Sequence, residues 1–290
     1  MNKRKKKIEV FSVVNGVVLT LIVFTTVYPF LYTLSISLSS LAEASRIGFH
    51  LFPREISLTA YKMVFKSDNI LSGYFNTIYR TVLGTIGTLL VTSTFAYALS
   101  KSYLPMRKFF TFFILFTMIF NGGLIPSYIL IKNLNLLNNR LVYVLPGLIG
   151  AYNVVIMRSF FLSIPVSLEE SARIDGAKES MIFMKIVIPL SKPVLATVGL
   201  WTAVSHWNAW FDSMLYVSDA KKQVLQLFLR RVVVEGQTSL MEMVGAENLN
   251  FTPETIKMAT IVVTIMPILV VYPFIQKYFV KGVMLGSLKE

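Results

Sequence analysis

The sequence contains no cysteine and only two histidines, His50 and His206, among its 290 residues. Without cysteine there can be no disulfide framework, thiol nucleophile or thiolate metal site. Two histidines are too few to build an ordinary histidine-based zinc site. The phosphate-binding pattern G-x-x-x-x-G-K-[ST] is also absent, so the chain has no P-loop of its own. These absences predict a protein that is not an enzyme and that holds no cofactor or metal itself.

Charge is scarce as well, at 15% of residues, whereas 54% are hydrophobic and the mean hydropathy is +0.64. Soluble domains carry about 25% charged residues, and a membrane-spanning helix needs about 20 apolar residues. Six stretches of 17 or more residues lack Asp, Glu, Lys and Arg: 10–42, 81–100, 109–131, 141–157, 193–211 and 258–276. The helix of the fourth stretch is expected to continue past Arg158 to Leu162. We therefore predict an all-α integral membrane protein with six transmembrane helices.

The basic residues give a net charge of +13, which by itself could suggest nucleic acid binding. Their distribution favours a membrane protein with both termini in the cytoplasm, because 16 of the 28 lysines and arginines then lie in inner segments and 10 in outer loops. The basic start resembles a signal peptide, but the long apolar run and missing cleavage site predict a retained anchor. The expected organisation is a basic N-terminus (1–9), a six-helix transmembrane domain (10–280) and a cytoplasmic tail (281–290).

None of the six runs has a charged residue at its centre, whereas proton relays and ion-coupled pumps place such residues at mid-membrane. His206 is the one histidine in a run, and we interpret it as a packing residue. If the chain transports a solute, the energy must therefore arrive from outside the chain. The outer loop 39–75 is expected to contain a short helix around 58–65, lying either at the membrane interface or packed within the loop.

The longest inner segment, 163–189, has the sequence pattern of two short helices joined at a glycine. Ser167 and Glu170 form a capping box that predicts a helix from Leu168, and Gly176 supplies the left-handed turn that ends it. A second helix is predicted from near Ala177, with Pro189 marking the boundary before the fifth run. Such a helix, glycine elbow and helix can insert into a groove on a cytoplasmic partner. The alternative is a loop that only connects two helices.

This segment resembles the EAA signature of the permease subunits of bacterial ABC importers. The match consists of Glu170-Ser171-Ala172, then Gly176, then 186–189 (Ile-Val-Ile-Pro) in the same spacing. Ser171 replaces an alanine and Ile188 a leucine of that signature, which weakens the match slightly. Further similarities favour the maltose-type carbohydrate permeases, and among them the branch for complex oligosaccharides; they lie at 175–177, Phe183, 121–126, 207–212 and 281–286.

The resemblance implies a subunit that forms half of a translocation pathway for oligosaccharides. The implied partners are a second, homologous permease, two ATPase subunits that bind ATP and Mg, and an extracytoplasmic sugar-binding protein. It also implies which residues form the joint with the ATPase: Glu170, Ser171, Ala172, Asp175, Gly176, Ala177 and Phe183. The rival interpretations are an ABC permease for a non-sugar solute and, from another class, a membrane receptor or enzyme.

Two sets of side chains are candidates for the substrate path. Sugars bind to aromatic faces and planar polar groups, and the end of the fifth run carries Trp207, Asn208, Trp210 and Asp212. An aromatic belt at the membrane interface would place the same residues there. The second set could equally serve packing between helices: Asn121, Tyr152 and Asn153.

The tail carries Val283, Met284 and Leu285 between two glycines. Removing three apolar side chains from water is favourable, so the sequence predicts that they contact a partner. The resemblance implies that this contact is with the ATPase subunits. A frayed terminus is the alternative.

Overall fold

The computed structural model describes residues 10–48, 50–234 and 252–287. Its described part is helical and contains no β-strand, only an isolated bridge between Ser39 and Ile56. The first seven helices are α1 (Val10–Ser37), α2 (Leu41–Ala44), α3 (Thr59–Lys66), α4 (Asp68–Ser100), α5 (Arg107–Ile119), α6 (Leu124–Asn133) and α7 (Ala151–Leu162). The remaining helices are α8 (Val166–Ile174), α9 (Glu179–Ile182), α10 (Ile188–Leu190), α11 (Lys192–Asn208), α12 (Phe211–Tyr216), α13 (Leu225–Val234) and α14 (Pro253–Ser287). The all-α prediction is confirmed for these residues.

Three helices are long and apolar enough to cross a membrane: α1, α4 and α14. Three further segments reach that length only as bent pairs of helices, so the described residues offer three spans, or six if each pair is one span. The count of six and the placement of both termini inside stay predictions. The division into 1–9, 10–280 and 281–290 also stays a prediction.

Two of the apolar runs contain a sharp bend between helical segments. The run 109–131 breaks after Ile119, and its two helices meet at 117°. Gly123 lies at that break with φ +87°, a conformation that side chains with a Cβ rarely adopt. The run 141–157 starts as two 3₁₀ turns, Arg140–Tyr143 and Leu145–Gly147, and bends by 48° before α7. As predicted, α7 continues to Leu162.

The predicted capping box is also wrong. Helix α8 begins at Val166, its cap residue is Pro165, and no side chain caps it. Proline fixes φ near the helical value and has no N–H to satisfy, so it starts a helix readily. Ser167 therefore lies inside the first turn. The second helix, α9, begins at Glu179 rather than near Ala177 and passes into a π-helical turn, Phe183–Val187.

The predicted helix of the outer loop is confirmed as α3, whose Ala60 and Val64 are buried. At the other end of the chain, α14 continues to Ser287. The backbone of Val283, Met284 and Leu285 therefore belongs to its last turns, and their side chains lie outside the described part of the chain. The predicted partner contact of this trio stays a prediction.

The chain divides into two compact units. One comprises the described residues of Met1–Ser67 and Leu229–Met266, and the other those of Asp68–Phe228 and Pro267–Glu290. The second unit contains two apolar clusters. One buries side chains of α4, α5, α7, α11 and the segment after α8; the other buries side chains around Val142, Tyr143 and Val217. These clusters lie beside the two candidate sites described next.

Candidate functional site: a coupling loop and a substrate-facing corner

Gly176 ends α8 in the left-handed conformation, with φ +80°. The N–H of Ala177 donates to the carbonyl of Ala172 at 2.9 Å, and the N–H of Gly176 donates to that of Arg173 at 3.0 Å. This pair of bonds is the Schellman motif, which satisfies the free carbonyls at a helix end. The predicted glycine elbow is therefore confirmed.

Helix α8 has an exposed face that bears most of the sequence-predicted joint. Glu170, Ser171, Asp175 and Gly176 are exposed, and Ile174 is 87% exposed. Val166 and Leu168 of the same helix are exposed as well, and several exposed apolar side chains on one short helix are typical of a surface that contacts a partner.

The remaining predicted joint residues lie on the inner side of the loop. Ala172, Ala177 and Phe183 are partly buried and pack against the apolar cluster that includes Tyr97. The ring of Phe183 lies 4.8 Å from that of Tyr97, centroid to centroid. These three residues hold the elbow in place rather than present it.

The acidic residue beside the motif, Glu169, points inward and is buried. Its carboxylate accepts hydrogen bonds from Nζ of Lys101, at 2.6 Å to Oε1 and also to Oε2. Lys101 directly follows the last residue of α4, and its ammonium group lies 4.1 Å from the centre of the Tyr97 ring. A charged and largely buried pair of this kind joins α8 to the end of α4.

A second set of contacts closes the network. Arg173 donates to Glu179 Oε1 at 3.0 Å and to the hydroxyl of Tyr103 at 3.1 Å, and the Tyr97 hydroxyl donates to Glu179 Oε2 at 2.8 Å. The hydrogen bond with Glu179 raises the pKa of Arg173. Burial raises the pKa of Tyr103, and the neighbouring Glu179 carboxylate raises it further. Both groups are protonated at neutral pH, and Arg173 is the donor to both Tyr103 and Glu179.

The last turn of α4 is held from two other helices. The carbonyl of Leu99 accepts hydrogen bonds from Nε of Arg107, at 3.1 Å, and Nε of Arg158, at 3.0 Å. Carbonyl groups at the end of a helix have no partner within it, and cationic donors at this end are favoured by the helix dipole. The end of α4 is thus fixed to α5, to α7 and to the loop.

The other candidate site is a corner between α11 and α12. Helix α11 ends at Asn208, and α12 starts at Phe211. An open depression of about 510 Å³ follows this corner; its lining is Val204, Ser205, Asn208, Ala209, Trp210, Phe211 and Asp212. Three of the four candidates of the first set, Asn208, Trp210 and Asp212, therefore share one surface.

Trp207 does not line this depression. It is buried, and its indole N–H has no hydrogen-bond partner among the described residues. Asn208 is exposed, and its amide nitrogen donates to the carbonyl of Val204 at 2.9 Å. Trp210 stands edge-on to Phe211, with centroids 5.6 Å apart. The depression thus combines aromatic and planar polar groups.

Asp212 is already engaged by Arg80. Arg80 is 3% exposed and lies inside α4. Its guanidinium donates to both carboxylate oxygens of Asp212, at 3.1 and 2.7 Å, and to the carbonyl of Ala209 at 3.1 Å. It also lies 4.9 Å from the ring centre of Tyr143. Bidentate pairs of this kind fix geometry strongly, so Arg80 fixes the corner.

The second set of candidates lies apart from the depression. The Asn121 side chain accepts from the N–H of Gly123 at 2.9 Å and so stabilises the turn between α5 and α6. Tyr152 lies beside Trp201, with ring centroids 6.1 Å apart, and Asn153 packs against Gly150. None of the three lines the depression, and their role in a substrate path stays a prediction.

The His206 ring packs directly against Gly84 of α4, in agreement with its interpretation as a packing residue. Sequence reasoning missed Arg80, Lys101 and Glu169. A signal was present for Glu169, because it is one residue from Glu170 and therefore about 100° away on the helix. No group of three or more potential metal ligands occurs in the described residues.

Comparisons with known proteins agree with this architecture. Residues 56–285 match the family described as "Binding-protein-dependent transport system inner membrane component". A solved structure, titled as a bacterial ABC transporter involved in the import of the acidic polysaccharide alginate, superimposes with a TM-score of 0.87 at 36% identity. That match covers 96% of this chain and 100% of the other.

Two relatives come from Bacillus subtilis (strain 168). The polygalacturonan/rhamnogalacturonan transport system permease protein YtcP is 41% identical, covering 91% of this chain and 92% of the relative. Protein LplC is 40% identical, covering 97% and 95%. The chain therefore belongs to the binding-protein-dependent transport system inner membrane components, and is a multi-pass, non-enzymatic subunit of the ABC sugar permease family in the bacterial plasma membrane.

Proposed function

We propose that this chain is one of two permease subunits of an ABC importer for acidic oligosaccharides, and that it couples to the ATPase subunits through the loop 163–189. The observation that carries the proposal is the exposed face of α8. It exposes an apolar side chain, Ile174, about one helical turn from Glu170 and next in sequence to Asp175, both of which are exposed carboxylates. The Schellman turn at Gly176 keeps this face in one conformation.

The partners follow from the family. A binding-protein-dependent importer needs an extracytoplasmic binding protein, a second permease and two ATPase subunits. This chain lacks a P-loop, so ATP and Mg belong to the ATPase subunits. The tail trio Val283, Met284 and Leu285 is a further contact with them in this proposal.

The class of substrate is supported by the relatives. One is named for polygalacturonan and rhamnogalacturonan, and the similar solved structure for the acidic polysaccharide alginate. The depression beside Trp210 offers an aromatic ring, and Asn208 offers a planar amide; both suit a sugar ring. Because Arg80 is neutralised by Asp212, this corner contributes shape and hydrogen bonding rather than a free positive charge.

The coupling part is tested by Ile174→Asp in the complex with the partner permease and the ATPase subunits. A charge at a desolvated apolar contact is costly, so we expect the ATPase recovered per permease to fall about tenfold. The matched control is Ile47→Asp, since Ile47 is fully exposed and belongs to the predicted outer loop. Full recovery of the ATPase with Ile174→Asp would contradict the proposed joint.

The substrate part is tested separately, by uptake into proteoliposomes that contain the complete complex and the binding protein. We expect ATP-dependent uptake of a labelled oligogalacturonide, and little uptake of a neutral maltooligosaccharide of equal length. Preferential uptake of the neutral sugar would overturn the acidic class and leave the coupling proposal intact.

A further inference from the structure

We infer that Lys101 and Glu169 are positioning residues that tie the coupling loop to α4, so that α4 transmits the position of the loop to the substrate-facing corner. The inference rests on the proposed role of the loop as the contact with the ATPase. It adds the internal part of the path, from residues outside the EAA-like motif.

The loop end of this path is a buried charge pair rather than a surface one. The side chains of Lys101 and Glu169 are 12% and 9% exposed, and the ammonium group also rests on the Tyr97 ring. Surface ion pairs contribute little, whereas loss of one partner of a buried pair leaves an uncompensated charge. The loop therefore cannot move away from α4 without separating two desolvated charges, and the two move together.

The far end of the path is the Arg80 pair. Helix α4 is unbroken from Asp68 to Ser100 and contains no proline, and Arg80 and Lys101 are separated by about 30 Å of helix axis. Kinks arise at prolines, at glycine and serine pairs or at π-turns. A continuous helix transmits a displacement between the ion pair just past its end, at Lys101, and the ion pair in its first half, at Arg80. Arg80 passes it to Ala209 and Asp212, which line the depression.

Neighbouring contacts explain why α8 follows α4 rather than sliding along it. Arg173 bridges Glu169, at 3.5 Å, and Glu179, at 2.9 Å. Glu179 in turn accepts the hydroxyl of Tyr97, which is four residues before Lys101 and so on the same face of the helix. Two adjacent turns at the end of α4 are thereby linked to both arms of the elbow.

The test is a charge-exchange series in the complete complex: Lys101→Glu, Glu169→Lys and the double exchange. Each single variant places two like charges together, so we expect sugar-stimulated ATP turnover and uptake to fall at least about tenfold. The double exchange restores opposite charges and is expected to recover activity to within about threefold. Lys101→Arg keeps the charge and should retain most of it. The matched control for charge reversal alone is Lys108→Glu, at an exposed lysine of α5.

A readout independent of ATP and sugar separates this inference from the proposed function. The chain has no cysteine, so labels can be placed at Ile86→Cys on α4 and Lys178→Cys on the loop, both exposed. The complex for labelling is assembled from partner subunits whose cysteines have been replaced by serine. Spin-label distances between these sites should show one narrow distribution, which broadens in Lys101→Glu and narrows again in the double exchange.

The outcomes are distinguishable. If the single variants keep both the narrow distance distribution and full coupled turnover, the tie between the loop and α4 is refuted. The same holds if the double exchange restores neither. If the unmodified complex fails to recruit its ATPase, the proposed function fails, while the distance measurement still decides whether Lys101 and Glu169 fix the loop.

Discussion

Among the described glycines of α4 and α11, Gly84 has the least space for a side chain. A Cβ added there would lie 2.4 Å from Nε2 of His206, far inside van der Waals contact. The imidazole ring is rigid and packed, so it cannot swing aside as the end of a longer chain can. We expect Gly84→Ala to destabilise the protein by about 1–3 kcal/mol, measured as a lower thermal midpoint in detergent.

Two other glycines make this prediction specific. A Cβ at Gly87 would meet only Cδ2 of Leu148, at 2.6 Å, and that methyl group ends a flexible side chain. We therefore expect a smaller loss for Gly87→Ala. A Cβ at Gly16 meets nothing within 4 Å, so Gly16→Ala should be neutral or slightly stabilising through helix propensity. Equal losses at all three positions would contradict the packing explanation.

Arg80 shows how a buried charge can serve geometry. Its guanidinium donates hydrogen bonds to Asp212 and to the backbone carbonyl of Ala209, so it fixes the position of the chain just after the end of α11. An arginine placed this way cannot also bind the carboxylate of a sugar acid without losing its partner. For an acidic substrate, the attraction must therefore come from other groups along the pathway.

At the scale of the element, α8 and its elbow determine how the loop is presented. Gly176 has φ +80° and open space around its Cα, so substitutions there act through backbone strain alone. A non-glycine residue in this conformation costs about 1–2 kcal/mol, asparagine is tolerated better, and proline cannot adopt it at all. Proline would also remove the N–H that donates to Arg173.

We therefore expect sugar-stimulated ATP hydrolysis to fall in the order Gly176→Asn, Gly176→Ala, Gly176→Pro, with proline abolishing it. Insertion into the membrane should be unaffected, because no predicted span is changed. The measurement is stimulated ATP turnover normalised to purified complex. Normal turnover with Gly176→Pro would rule out the elbow as a functional element.

At the scale of the whole molecule, the prediction is topology. A topology reporter fused after Leu104 or Lys178 should indicate a cytoplasmic position. A reporter fused after Asn138 or Asp219 should indicate an external position. The physical reason is the excess of lysine and arginine in the inner segments. A fusion after Lys178 that is active outside would place the coupling loop on the wrong side of the membrane and exclude its contact with an ATPase.

The sequence by itself determined the features that depend on composition and local pattern. Scarce charge and long apolar runs established a membrane protein, because hydrocarbon excludes charged side chains. The spacing of Glu170, Ala172 and Gly176 identified the loop, and the left-handed turn at Gly176 followed from the freedom of glycine alone. The start of α8 was predicted at Leu168 but lies at Val166, because Pro165 and not Ser167 is the residue that caps the helix.

The tertiary structure alone decided the charge pairs and the broken spans. Arg80 and Asp212 are 132 residues apart, and Lys101 and Glu169 are 68 apart. No local pattern specifies which distant charges meet, because a desolvated charge takes whichever partner the packing of the helices brings within reach. For the same reason hydropathy could show where the chain is apolar, but not that α11 ends at a carbonyl held by Arg80.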